Sequence, residues 1–296
     1  MWKYFCGNTL VDSFAAESIP AASNGGLNLK FCSLSSCSYA NSVVVQDGNT
    51  CILIDCGLRK RDIKPFLQQA GLSPGDLDAV LVTHCHTDHI YGLKFLCQEK
   101  NLPVYSTPGI LNELNKLCRF NTPPALTAFG SNAREKIGSL AVTHFRLSHD
   151  VETIGFIIGG GDGERMGFIT DTGYFPENCL DAFQSLDYLY IESNHDINMY
   201  KKSSKPWHVI RRNLGPTGHL SNEQCGLALQ SMELKKCKLV VLGHLSEDDN
   251  DPAIAVSNAR RRLAANIPLT SAPARVPGPW SDRFRQSGEA AHDHRV

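Results

Sequence analysis

Where the apolar runs of this chain stop is more informative than where they begin. From Leu29 onward, short hydrophobic segments alternate with turn residues. The pattern predicts strands over Leu29–Leu34, Val43–Gln46, Cys51–Ile54 and Ala79–Thr83. Helices are predicted at Asp62–Ala70, Tyr91–Glu99 and Gly109–Leu117. A second series of strands covers Leu140–Arg146, Thr153–Ile158, Gly167–Thr170, Leu186–Ile191 and Leu239–Leu242, with helices near Asn222–Met232 and Asp251–Ala265. Strands interleaved with helices in both halves predict two sheets covered by helices rather than one doubly wound sheet. Five of the runs end on a side chain that can bind a metal or carry a proton: Asp55, His84, Asp171, Glu192 and His244. Buried strands that present polar groups at one end place a site on rigid scaffold. One such strand would mean little; five in one chain point to a shared site.

The densest local signal is Thr83-His84-Cys85-His86-Thr87-Asp88-His89. Burying four potential ligands this close together is costly unless a cation pairs with them. His84 and His86, two apart on an extended segment, can face the same way. Asp88 and His89 lie past a turn and can address a second ion beside the first. Imidazoles with a carboxylate suit Zn²⁺, Mn²⁺ or Fe²⁺.

An HxHxDH segment after a hydrophobic strand resembles the signature of the metallo-β-lactamase superfamily. That resemblance implies an α/β fold, a four-layer αββα sandwich of two mixed sheets covered by helices. It also implies a role for residues further along. Asp55 matches the acidic residue that ends an early strand and supports the site. His149 matches the third histidine, Asp171 the bridging carboxylate and His244 the last histidine. Carried over residue by residue, His84, His86 and His149 hold one divalent ion. Asp88, His89 and His244 hold a second, and Asp171 bridges. His144 and His208 have no motif partner and read as structural, and Cys85 reads as packing.

Two segments between Asp171 and His244 narrow the chemistry. The tRNase Z branch of the superfamily places a Glu and a His at points that match Glu192 and His219 here, where the His protonates the leaving oxygen. Hydrolysis of a phosphodiester leaves an alkoxide that needs a proton or a metal, and a histidine held by a carboxylate supplies a proton near neutral pH. Ser221 or Asn222 would also cap the following helix. A longer match runs from Leu29 to about Trp280. The THCHTDH segment, Ser148-His149-Asp150, TDTGY, ESNHD, GHLSNE and HLSEDDN together resemble the YycJ/WalJ (VicX) group. Members of that group are bacterial cytoplasmic hydrolases with DNA exonuclease activity and a dinuclear centre. The match departs at Ser36–Ser42, where Cys37 and Ala40 stand in place of glycines. If those glycines need positive φ, this loop is strained or reshaped.

The resemblance thus implies a phosphodiester-cleaving hydrolase with two divalent ions (Zn, Mn or Fe), in the first instance a DNA exonuclease. Asp88 would orient the attacking hydroxide, and His219, aligned by Glu192, would protonate the departing oxygen. A hydrolase of a small cyclic phosphodiester, thioester or lactam on the same fold stays open. So does a non-catalytic binding module with structural metals.

Composition limits the partner more than the chemistry. Net charge is −1, with 20% charged residues, so no global positive field draws in a polyanion. Any grip on nucleic acid is local, and the candidates are Lys201, Lys202, Lys205, Arg211 and Arg212, interleaved with Tyr200 and Trp207. The run Arg260–Arg262 reads as the exposed end of the last helix. Eleven cysteines show no CxxC pair and read as buried free thiols of a reducing compartment. Met1–Val11 has no signal-peptide pattern, and no stretch reaches the ~18 apolar residues of a membrane span. The expectation is a cytoplasmic protein with no membrane partner. Residues 1–28 read as a poorly patterned extension, 29–276 as the hydrolase domain, and 277–296, with His292 and His294, as a frayed tail.

Overall fold

Two hairpins start the first sheet: β1 (Lys30–Cys37), β2 (Ala40–Asp47) and β3 (Thr50–Ile54) pair antiparallel in sequence. The chain then switches to parallel pairing through β4 (Ala79–Leu81), β5 (Val104–Ser106) and β6 (Leu126–Ala128). Helices α1 (Lys60–Gln69), α2 (Thr87–Ile90), α3 (Leu93–Glu99) and α4 (Pro108–Cys118) make these crossovers. The second sheet begins with antiparallel β7 (Arg134–Ile137), β8 (Leu140–Leu147), β9 (Thr153–Gly159) and β10 (Arg165–Ile169). It continues in parallel with β11 (Tyr188–Glu192), β12 (Leu239–Gly243) and β13 (Leu269–Ser271). Here α5 (Ile197–Tyr200), α6 (Trp207–Asn213), α7 (Asn222–Ser231) and α8 (Pro252–Arg260) lie between strands. The computed structural model describes residues 28–130 and 134–285. The expectations for 1–27 and for 286–296, His292 and His294 included, lie outside the described residues.

The layers follow from the two-residue period of a strand. In β11 the buried side chains alternate: Tyr188 and Tyr190 join the core between the sheets, whereas Leu189 and Ile191 join the core under α7 and α8. Strand β12 repeats this, with Leu239 and Val241 inward and Val240 and Leu242 outward. Strands buried on both faces read as continuous apolar runs, which is why these were visible in the sequence. The expected pair of mixed sheets with helical cover is observed. Strands β5, β6, β7 and β13 escaped prediction because they are short, with no apolar run to mark them, and all but β5 are largely half-exposed or exposed. The last helix ends at Arg260, earlier than its pattern suggested. The Arg260 guanidinium donates to the Ala264 and Ile267 carbonyls and closes the end.

The expected frayed tail needs correction over Pro277–Arg285. Strand β1 lies at the edge of its sheet, and an open edge leaves backbone groups unpaired. This segment covers it: Gly278 N–H donates to the Ser33 carbonyl (2.8 Å) and Phe31 N–H to the buried Ser281 hydroxyl (3.1 Å). The Trp280 indole N–H donates to Ala70 O at 3.0 Å, with the Lys30 ammonium over its ring.

The Ser36–Ser42 expectation also resolves. Residues Ser38 and Tyr39 form the turn between β1 and β2, with Cys37 opposite Ala40. Neither Cys37 nor Ala40 has a positive φ, so their Cβ atoms impose no strain.

Gly57 follows β3 and packs directly against the start of α2. A Cβ there would lie 1.6 Å from the Asp88 carbonyl oxygen. Gly57→Ala is expected to push α2 away and destabilise the protein by about 2 kcal/mol or more. The result should appear as a lowered melting temperature together with reduced metal retention. An unchanged melting temperature would contradict the packing argument.

Candidate metal centre

The parallel strands carry the site. β3 and β4 of one sheet, and β10, β11 and β12 of the other, deliver Asp55, His84, Asp171, Glu192 and His244 from their carboxyl ends. Three of these residues share an unusual backbone: Asp55 (φ 58°), Asp171 (φ 58°) and His244 (φ 54°) are left-handed. Asp and His tolerate this region better than branched residues do, yet each instance costs about 1–3 kcal/mol. Three such turns immediately after buried strands swing side chains into one gap between the sheets.

The predicted ligands meet there in overlapping groups. His84, His86 and His149 can offer ring nitrogens within 4.8 Å of one another, and so can Asp88, His89 and His244 with one ligand atom each. Asp171 faces both: Oδ2 is 3.3 Å from His89 Nε2, and Oδ1 is 3.9 Å from His149 Nε2. Asp171, Glu192, His219 and His244 form a further group of the same span.

Around these groups, hydrogen bonds hold the ring nitrogens that face away. Asp55 Oδ2 accepts from His89 Nδ1 (2.7 Å) and from the Thr83 hydroxyl (2.7 Å), while Oδ1 accepts from Thr83 N–H. Thr83 Oγ1, having donated to Asp55, accepts from His84 Nδ1 at 2.9 Å. His149 Nδ1 donates to the Gly218 carbonyl at 3.1 Å, and His244 Nδ1 donates to Glu192 Oε1 at 2.8 Å. Partners of this kind fix the tautomer and aim the other nitrogen. The aimed atoms are what a cation would need. Among the described residues, His84 Nε2, His244 Nε2 and Asp171 Oδ2 are buried without a hydrogen-bond partner. Leaving such atoms unpaired is costly, and a divalent cation satisfies all three. The donor set fits Zn²⁺, Mn²⁺ or Fe²⁺, as the sequence implied.

Electrostatics agree with that fit. Burial pushes His84 well below the ordinary histidine range, so its ring is a neutral donor. Burial also pulls His89 down, but Asp171, Asp88 and Asp55 outweigh it and hold the ring well above its usual value. His244 behaves in the same way, against burial, through Asp171, Asp88 and Glu192. Asp171 and Asp88 are held well below the carboxylate range, again against burial, by the surrounding histidines. Without metal, protons on His89 and His244 therefore offset the buried carboxylates. A cation must displace them. Metal uptake is expected to release protons, and affinity to fall as pH is lowered through neutrality, by up to about tenfold per unit for each displaced proton. Metal titrations at several pH values check this; a pH-independent affinity would contradict it.

Beside this centre Glu192 is completely buried and fully used. Its Oε1 accepts from His219 Nδ1 (2.7 Å) as well as from His244, and Oε2 accepts the Thr172 and Leu220 N–H groups at 3.1 and 3.0 Å. Although burial opposes it, His219 leads the contacts that keep this carboxyl ionised well below its ordinary value. Ser221 caps α7 with a capping box through Gln224, so the helix-start reading of this segment holds too.

The basic stretch is only partly drawn to the centre. Arg212 Nη1 lies 3.3 Å from Asp150 Oδ2, whereas Lys201, Lys202 and Arg211 are exposed. Two readings there need correction. The Lys205 ammonium pairs with Asp249 and Asp248, which takes it away from a phosphate. Tyr200 is buried and accepts from Asn213 Nδ2, so its ring cannot stack on a base; Trp207 is exposed and can.

Sequence reasoning overlooked two residues. Asn41 Nδ2 lies 3.0 Å from Asp88 Oδ2 and 3.1 Å from His89 Nε2. Asp150 Oδ1 lies 3.2 Å from His86 Nε2 and 3.3 Å from His149 Nε2. Asp150 had a signal, its place next to His149; Asn41 had only its place in a turn read as rim.

Comparison with known proteins agrees with the geometry. The family model described as "Beta-lactamase superfamily domain" matches residues 50–245. Exodeoxyribonuclease YycJ of Bacillus anthracis is 31% identical over 229 residues, 77% of this chain and 87% of that protein. Exodeoxyribonuclease WalJ of Streptococcus pneumoniae is 29% identical over 240 residues, covering 80% and 89%. Among solved structures, the metallo-β-lactamase fold protein YhfI from Bacillus subtilis superposes with a TM-score of 0.64 at 16% identity, covering 84% of this chain and 98% of that one. On the family match, the YycJ relationship and the shared fold, the chain belongs to the β-lactamase superfamily as a metallo-β-lactamase-fold hydrolase of the YycJ/WalJ group.

Proposed function

We propose that this protein is a dinuclear phosphodiesterase that degrades DNA from an end in the cytoplasm. The observation that carries the reading is the part-buried His219, held on the buried Glu192 and set against the histidine–carboxylate cluster. A thioester hydrolase expels a thiolate and has less need of a second, separately held histidine; a poor alkoxide leaving group needs a proton or a metal, and His219 is placed to supply the proton.

His84, His86 and His149 would hold one divalent ion, and Asp88, His89 and His244 a second, with Asp171 shared. When bound, such ions acidify a water and offset the charge that builds on the phosphate oxygens. The protein's own groups do the rest. With Nδ1–H given to Glu192, His219 keeps Nε2 to carry the proton that the departing oxygen takes. Glu192 fixes that tautomer and the orientation of the ring. Of the carboxylates read as ligands or as their support, Asp88 is the more open, 22% exposed against 2% for Asp55 and Asp171, which suits it to orient the attacking water. Arg212, placed by Asp150, supports a phosphate contact beside His149.

The names of the relatives support DNA and an exonucleolytic mode. The ten described cysteines are all free thiols, which supports a reducing cytoplasm. Among the described residues no helix is long and apolar enough to cross a membrane. Incubation with end-labelled DNA tests the reading, and stepwise release of nucleotides is the expected outcome. Intact DNA alongside turnover of a cyclic nucleotide would transfer the proposal to a small phosphodiester.

A further inference from the structure

A second basic surface, unrelated to residues 201–212, borders the Asp88 side of the centre. An open groove of ≈ 590 Å³ is lined by Tyr39, Arg59, Lys60, Arg61 and Tyr91. It reaches the centre through Thr87, between His86 and Asp88, and through Gly57, which packs against the Asp88 carbonyl. Three consecutive cations on an otherwise near-neutral protein are a local positive patch. All three are exposed. The acid beside them, Asp62, lies 3.7 Å from Arg61 and offsets one of them.

The aromatic rings complete the character of the groove. Tyr39 and Tyr91 are 57% and 53% exposed, among the most open large side chains described. The Arg275 guanidinium lies 4.0 Å from the Tyr39 ring centroid and is itself anchored on Glu247, so it props that ring in place. Large exposed aromatics stand here beside exposed cations. They match a strand whose phosphates need cations and whose unpaired bases need stacking faces. Helix α1 starts at Lys60 with no side-chain cap on its first N–H groups, which adds positive potential at the same place.

We infer that this groove holds a single-stranded stretch of the nucleic-acid substrate, with Arg59 and Lys60 on phosphates and Tyr91 and Tyr39 against bases. The inference rests on the nucleic-acid reading above and extends it to a track that enters the centre beside Asp88.

The test is fluorescence anisotropy with the metal-loaded, full-length protein and a labelled phosphorothioate oligothymidylate, which resists hydrolysis. Replacing Arg59 and Lys60 together by alanine is expected to weaken binding about tenfold and to lower the log–log salt slope by about 1.4. Tyr91→Ala is expected to weaken binding about tenfold with the slope unchanged. The remote pair Lys235→Ala/Lys236→Ala should bind as the parent does. All are exposed positions, and equal melting temperatures would show that the folds match. Parent-like binding by the groove variants, or no binding by the parent, overturns the inference. If the parent binds through the groove yet releases no nucleotides from ordinary DNA, the nuclease reading falls and the groove stands. If parent and groove variants bind and digest DNA alike, the groove falls and the nuclease reading stands.

Discussion

Replacing Asp171 with alanine is expected to remove the bound metal and lower turnover by at least about 10³-fold. The expectation follows from position. Asp171 is buried, faces both histidine groups, and has an oxygen with no protein hydrogen-bond partner. Without its charge, one carboxylate fewer compensates a cation among His84, His89 and His244. Alanine also fits poorly at φ 58°, which by itself costs about 1 kcal/mol. Asp171→Asn is therefore the second variant to make, since asparagine accepts the left-handed backbone and removes only the charge. Elemental analysis and hydrolysis assays on both should report the same loss. A variant that kept its metal and its rate would refute the shared-ligand role.

His219→Ala should behave in the opposite way with respect to metal. The ion content is expected to stay at the parent level, while the rate on DNA falls by about 10²–10⁴-fold, the usual range for a lost general acid. The leaving group provides the control. A nitrophenyl phosphodiester releases a stable phenolate that needs no proton, so its hydrolysis should fall far less than that of DNA. Equal losses on both substrates would mean that His219 acts by holding structure, and an unchanged rate on DNA would remove it from the mechanism. Some structural cost is expected too, because Glu192 loses one of its partners while still serving His244, Thr172 and Leu220.

Much of this arrangement was legible in the sequence, and the reasons are physical. Parallel strands buried on both faces must be apolar throughout, so the residues that interrupt them stand out. Asp55, His84, Asp171, Glu192 and His244 were found in that way, and the two sheets bring them together. The spacing of His84, His86, Asp88 and His89 was equally plain. Less visible was whatever depends on which neighbour a polar group happens to meet. Asn41 lies in a hairpin whose sequence says turn, yet its amide reaches Asp88. Lys205 looked like a phosphate ligand until Asp249 was found beside it. Tyr200 looked like a stacking platform, but α5 places it in the interior. The segment Pro277–Arg285 is rich in polar and turn-forming residues, as tails are, and only the open edge of β1 explains why it is held. The basic residues that best suit a strand, Arg59 and Lys60, were hidden at the start of a helix whose pattern drew attention to its buried face.

The most direct test of the central claim is to strip the protein of metal and titrate Mn²⁺ or Zn²⁺ back while following loss of an end label from DNA. The account predicts no cleavage without metal and recovery that saturates at two ions per chain, with Asp171→Ala inactive throughout. DNA cleavage that persists in the stripped protein, or that survives in Asp171→Ala, would contradict it.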